Sequence, residues 1–300
     1  MKEKKAVKYI VVGSGKLAVR IAEYLKQLGL NPYVYEKHIA TFSGVEKLCA
    51  KKEISYKNMT SFEMTEQLMT DLENYELKVF SCINTYIFPE KILKCKNFWG
   101  INYHNALLPY HKGMNAEAWA IYNMDNVTGI TWHRIRPSVD AGEILIQKKI
   151  RLDSNINSLK LLKMQSDLAY EAFLEISPVI FSGSSAARET FQPVIKTTMH
   201  RIKDVPNNGV LSKKWNFQQT SAFLRALDYG KLNTLGKPCI KFHSYIYEWE
   251  RYKLMESTAA ETDSVEIEES NMIIAKKGDR NRIVLVNIKR RDFNNERVYL

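Results

Sequence analysis

Residues 7–29 read VKYIVVGSGKLAVRIAEYLKQLG, and the reading of this stretch decides the fold. Six residues rich in β-branched and aromatic side chains, VKYIVV at 7–12, run into a Gly-Ser-Gly turn. After the turn, Leu17, Ile21, Ala22, Leu25 and Leu28 recur at helical spacing, and Gly29 supplies a stop. A strand that turns tightly into an amphipathic helix opens a doubly wound α/β sheet. The turn also carries a dinucleotide-type spacing: Gly13, Gly15 and Ala18, with Glu36 placed to meet a ribose. Glycines let a backbone approach a phosphate, and a helix N-terminus favours an anion. They equally serve any tight turn. A nicotinamide or flavin, a phosphate of another ligand, and plain structure all stay open at this point.

Working outward, NPYVYE at 31–36 reads as a second strand and residues 43–52 as a helix. SFEMTEQLMTDLENY at 61–75 is a helix with Ser61 as N-cap; LKVFSCI at 77–83 and FWGINYH at 98–104 are buried strands. This alternation predicts an α/β, Rossmann-like, mostly parallel sheet with helices on both faces. A helix over 114–125, strands at 127–135 and 142–152, and a long helix over 158–180 follow. Residues 182–212 carry Pro193, Pro206 and Asn-Asn-Gly, the turn chemistry of a connector. Beyond Trp215 a short helix precedes four β-type segments, which predict a smaller β-rich, barrel-like C-terminal domain. The expected division is a catalytic domain over 1–195, a connector over 196–212 and the small domain over 213–300.

The 300 residues are 45% apolar and carry a formal charge of +11, spread over both halves of the chain. A diffuse basic balance suits phosphate-bearing ligands and is also an ordinary solvated surface. The four cysteines show no metal-ligand spacing and read as reduced thiols of a cytoplasmic protein; no metal is expected. The apolar run behind the basic N-terminus stops at Gly13, too short for a signal segment, and no run has the length of a membrane helix.

The chemistry concentrates in residues 100–145, GINYHNALLPYHKGMNAEAWAIYNMDNVTGITWHRIRPSVDAGEIL. Asn102 and His104 stand two apart on a strand and so share a face. Asp140 lies in a glycine-bearing loop that adjacent parallel strands would bring to the same sheet edge. His111 and His133 read as satisfied core or surface residues. An amide donor for an oxyanion, an imidazole to move a proton and a carboxylate to orient it form an acyl-transfer set. With no Ser or Cys placed as nucleophile, the attacking group belongs to the substrate, most simply an amine.

The block resembles the catalytic signature of the 10-formyltetrahydrofolate-dependent formyltransferases: Asn102-x-His104, Leu-Leu-Pro at 107–109, Gly113, then Asp140 and Gly142. The resemblance implies that Asn102, His104 and Asp140 are catalytic. Asn102 would steady the oxyanion, His104 would move the proton, and Asp140 would hold His104 in its working tautomer. It further implies that main-chain groups of Tyr86, Ile87 and Phe88, and of Arg136, Pro137, Ser138, Val139 and Asp140, cradle the folate. The product is then tetrahydrofolate.

The stretch YHKGMNAEAWAIYN at 110–123 is similar to that of sugar N-formyltransferases. The amine expected is therefore that of a nucleotide-linked amino sugar, met by Gly13, Ser14, Gly15 and Lys16 at its phosphates and by Gly113, Met114 and Asn115. An aminoacyl or peptidyl amine ranks second and transfer RNA third, while an NAD(P)-dependent oxidoreductase is the alternative from another class. No membrane partner is expected, and a homodimer is compatible with the chain.

Overall fold

The opening unit forms as read in the computed structural model, which describes residues 5–38, 44–182, 189–195, 197–232 and 234–292. Strand β1 (Ala6–Gly13) turns through Ser14 into helix α1 (Gly15–Gln27). Leu17, Ile21, Ala22 and Leu25 are buried, whereas Leu28 falls just past the helix and is exposed. Gly13 is demanded by close approach: a Cβ there would lie 1.9 Å from the Cys82 carbonyl oxygen.

The elements that follow are β2 (Tyr33–Lys37), α2 (Val45–Lys51), β3 (Ser55–Met59), α3 (Ser61–Asn74), β4 (Tyr75–Cys82), α4 (Glu90–Leu93) and β5 (Phe98–His104). Next come β6 (Lys112–Gly113), α5 (Ala116–Tyr122), β7 (Val127–Arg134), β8 (Ile144–Arg151) and α6 (Ser158–Phe181). The sheet has seven strands in the order β3-β2-β1-β4-β5-β7-β8. Strands β1 to β5 pair parallel, as expected, but β5 and β7 are antiparallel, with Asn102 opposite His133 and His104 opposite Thr131. This corrects the parallel neighbours assumed for the Asp140 loop. Strand β3 went unread because SYKNM is polar and mostly exposed on the sheet's edge, so no apolar alternation marks it. The cap of α3 is Thr60, not Ser61. The Thr60 hydroxyl accepts from the Glu63 amide while the Glu63 carboxylate accepts from the Thr60 amide, a reciprocal capping box.

Strand alternation gives the sheet two different faces. One bears Val11, Phe80, Cys82, Ile101, Tyr103, Ile130 and Trp132, packed with Leu17, Leu25, Ala169 and Phe173. On the other, Ile10, Val12, Leu77 and Val79 pack with Met64, Leu68, Leu72 and Ile92. Following this second face along the strands, the apolar series ends at Ser81, Asn102, His104 and His133. A core face that turns polar at one end of its strands marks the site.

The chain divides into two compact units. The first comprises Met1–Lys112, Gly129–Ile150 and Met164–Thr198; the second comprises Gly113–Thr128, Arg151–Lys163 and Met199–Leu300. In this grouping residues 113–128 and 151–163 join the second unit; residue 196, the first of the expected connector, lies outside the described residues. Within the second unit, β9 (Met199–His200), β10 (Val210–Leu211) and α7 (Phe217–Ala226) precede the β-rich region. That region runs through β11 (Cys239–Phe242), β12 (Tyr245–Glu248), β13 (Arg251–Glu256), β14 (Ser264–Glu268), β15 (Asn271–Ala275), β16 (Asn281–Val286) and β17 (Lys289–Asp292). Its strands form two four-stranded sheets, β10-β11-β12-β17 and β13-β16-β15-β14. The tyrosine Tyr229 is buried there against Glu117, to which its hydroxyl donates at 2.5 Å.

Candidate active site

Asn102 is held by a relay of local donors. The Asn84 side-chain amide donates to the Ser81 hydroxyl at 2.6 Å, and that hydroxyl donates to Asn102 Oδ1 at 2.7 Å. Asn102 Nδ2 donates in turn to His133 Nε2 at 3.2 Å, while His133 Nδ1 donates to the Arg134 carbonyl at 2.9 Å. A carbonyl only accepts, so His133 carries its proton on Nδ1 and its Nε2 lone pair is spent on Asn102. The chain of donors fixes the Asn102 amide plane and leaves its second N–H outside these bonds.

His104 is buried, and its Nε2 donates to the His111 carbonyl at 2.9 Å. The main chain therefore sets this tautomer, not Asp140 as the sequence suggested. The neutral ring keeps its lone pair on Nδ1, which stands 3.5 Å from Asp140 Oδ2. Asp140 Oδ1 lies 3.4 Å from His133 Nε2, so one carboxylate stands against both rings. Both His111 and Asp140 have left-handed backbones, φ +49° and +50°. Strain of this kind persists where surrounding structure holds it, and it gathers at functional sites. Gly142 permits the turn to close: a Cβ there would meet the Arg134 carbonyl oxygen at 1.9 Å.

Burial lowers the pKa of His104 from its ordinary 6.5, against the smaller upward pull of Asp140. The ring is neutral at physiological pH and ready to take a proton at Nδ1, where Asp140 stabilises the cation. We expect kcat/KM to stay level as pH falls through about 6.5 and to drop only below it, where His104 gains its proton. Stability follows the same sign. The contribution of a group whose folded pKa is lowered is complete above 6.5 and is lost as acid protonates the unfolded chain first. A pH–rate profile beside urea melts at the same pH values checks both; an activity limb centred above 6.5 contradicts the assignment.

The other expected residues divide by what their side chains do. Tyr86 and Phe88 turn inward, ring centroids 4.9 Å apart, and the Tyr86 hydroxyl meets Thr65 Oγ1 at 2.8 Å. Ile87 between them is 65% exposed, and the Tyr86 amide donates to Asn84 Oδ1 at 2.7 Å. Arg136 is committed to Glu143 through two bonds of 2.8 and 2.9 Å, while Pro137, Ser138 and Val139 are exposed. The Ser14 amide and hydroxyl both donate to the Ile83 carbonyl, at 3.2 and 2.8 Å, which ties the glycine turn to the loop after β4. This is where strand order reverses, β1 lying between β2 and β4, the place where open α/β sheets bind ligands. Lys16 is exposed on that turn. Gly113, Met114 and Asn115 are described with the second unit, where the Met114 amide donates to the His200 carbonyl at 2.9 Å and Asn115 has φ +55°. Glu36 is 1% exposed and accepts from the Tyr56 hydroxyl at 2.7 Å, so its carboxylate is turned into the protein and not toward a ribose.

Sequence reasoning missed His133, Ser81, Asn84 and the His111 carbonyl. His133 was discoverable in principle, because a strand paired with β5 must place some residue opposite Asn102. The pairing direction that selects His133 was not legible. Among the described residues no cluster suited to a metal ion is present, and no helix is long and apolar enough to cross a membrane.

Comparison with known proteins bears out the resemblance. Residues 31–176 match the family model described as formyl transferase. A methionyl-tRNA formyltransferase of Malacoplasma penetrans is 25% identical over 198 residues, covering 66% of this chain and 59% of the relative. A GDP-perosamine N-formyltransferase of Brucella melitensis is 28% identical over 141 residues, covering 47% and 52%. The chain thus spans between half and three-fifths of these relatives' length. Among solved structures, a sugar 3N-formyl transferase crystallised with dTDP and 5-N-formyl-THF superposes with TM-score 0.70 at 19% identity, over 96% of this chain and 98% of that one. An N-formyltransferase from Helicobacter canadensis, in complex with folinic acid and dTDP-3-aminofucose, superposes with TM-score 0.73 at 16% identity, over 93% and 99%.

Proposed function

We propose that this chain, whose residues 31–176 match the formyl transferase family, moves a formyl group from 10-formyltetrahydrofolate to the primary amine of a nucleotide-linked amino sugar. One observation carries the reading: a locked amide and a neutral, buried imidazole backed by a carboxylate stand together where a core face turns polar. Each group has a role in forming an amide. Asn102 offers its second N–H to the charge that builds on the formyl oxygen under attack. His104 takes the amine's proton at Nδ1, and Asp140 balances the imidazolium that results. As the carbon–nitrogen bond to the folate breaks, His104 would pass the proton it holds to the departing nitrogen, which restores its neutral ring.

The folate would supply an activated formyl carbon, and the residues present fit it. The loops at 83–88 and 136–140 put main-chain groups beside exposed Ile83, Ile87 and Val139. Such a mixture suits a flat ring with a polar edge. For the amine, support comes from the superposed sugar 3N-formyl transferase, the N-formyltransferase in complex with dTDP-3-aminofucose, and the GDP-perosamine N-formyltransferase. The +11 charge and the Gly13–Lys16 turn suit a pyrophosphate.

The test is formyl transfer by the purified protein with 10-formyltetrahydrofolate and a panel of nucleotide-linked amino sugars. Saturable turnover of at least one, with little dependence on salt, supports the reading. Transfer to methionyl-tRNA alone, with affinity falling steeply as salt rises, selects instead the transfer-RNA reading that the Malacoplasma relative favours. No folate-dependent transfer to any amine removes both.

A further inference from the structure

The turn that carries Asp140 is held from a distance. The main-chain oxygens of Asp140 and Gly142 both accept from a single donor, Gln192 Nε2, at 2.9 and 2.8 Å. Gln192 belongs to the stretch read from sequence as connector. Its neighbour Thr190 fastens that stretch to the first residue of β8: Thr190 N donates to Ile144 O at 2.9 Å and Ile144 N to Thr190 O at 2.8 Å. Pro193 biases Gln192 toward extended backbone, keeping the side chain in register with the turn. The other end of the amide, Oε1, is buried and has no hydrogen-bond partner among the described residues. An unpaired buried acceptor is a cost, so the amide's orientation is dictated by its N–H fork on the two carbonyls and not by its own satisfaction.

From this geometry we infer that Gln192 is a positioning residue, whose amide clamps the Asp140 turn in its left-handed conformation and so holds the carboxylate against His104 and His133. The purpose of the clamp rests on the proposed formyl transfer; its existence does not, and can be measured without turnover. The charged and titratable groups concerned are the Asp140 carboxylate itself, His104 from β5, His133 from β7, and His111, which acts on His104 from the turn ahead of β6.

The experiment follows the His104 ring by NMR titration in the wild-type chain, in Gln192→Met and in Asp140→Asn. Methionine keeps the length and packing of the side chain while deleting both N–H donors. Gln192→Ala is the second variant, so failure of one to fold leaves the other, and Phe191→Ala, 80% exposed on the same segment, is the control. The expected result is that His104 titrates at lower pH in the Gln192 variants, the direction in which Asp140→Asn moves it, because an imidazole is losing a carboxylate. With an amine substrate, kcat falls by about tenfold to a hundredfold, as misplacement of a reacting group does, with KM nearly unchanged. A His104 titration like that of the wild type overturns the inference, whatever happens to kcat. Shifted titrations in a protein that formylates no amine leave the clamp standing and remove the proposed function instead.

Discussion

Replacing His104 by alanine is expected to lower kcat by about a hundredfold to ten-thousandfold, the range a positioned proton-transfer group supplies. The loss belongs to kcat because the expected folate contacts lie on the main chain of residues 86–88 and 136–140, which the substitution does not touch. Alanine also strips the buried His111 carbonyl of its donor, so a lower melting temperature accompanies the loss. His104→Gln separates the two effects. A glutamine amide donates to that carbonyl but accepts no proton at neutral pH, so stability recovers while kcat stays low. Single-turnover rates at saturating folate, with thermal melts of both variants, read the outcome. Turnover by His104→Gln within about threefold of wild type would move the base to another group, with the Asp140 carboxylate the first candidate.

Replacing Asn102 by alanine is expected to cost about a hundredfold to a thousandfold in kcat, the toll of deleting one preorganised oxyanion donor. The amide does not act alone. Ser81 and Asn84 orient it from one side and His133 from the other, so the charge on the formyl oxygen meets a donor already in place. Asn102→Asp keeps the acceptor for the Ser81 hydroxyl and removes every N–H, and it adds a negative charge beside that of Asp140. It is therefore expected to fall at least as far as alanine. Ground-state binding of folate should hardly change in either, since an oxyanion donor works on charge present only during reaction. A small change in kcat with a large rise in KM would make Asn102 a binding residue and return the oxyanion role to the main chain.

The site was legible where it depended on parity. Asn102 and His104 share a face because two residues separate them on a strand, and that holds whatever the strand pairs with. The same local logic made β1 and α1 readable, and made β3 unreadable, since an edge strand with little to bury shows no alternation. It placed the α3 cap one residue late because Ser61 and Thr60 are both competent caps; only the reach of Glu63 back to the Thr60 amide distinguishes them. Asp140 was read from its glycine-bearing loop, and the family motif then included it. The geometry that brings it to the rings was misjudged, since β7 runs against β5 and not with it.

By itself, then, the sequence determined the alternation of strands and helices, the β-rich character of the C-terminal part, and the joint orientation of Asn102 and His104. These are short-range properties, written in side-chain periodicity over a few residues. Tertiary structure alone decided that His133 meets Asn102, that the His111 carbonyl takes the Nε2 proton of His104, and that Glu36 faces Tyr56. Each of these depends on the direction and register of strand pairing or on where a carbonyl points. Those are settled by contacts between residues distant in the chain, whose energies no local pattern records.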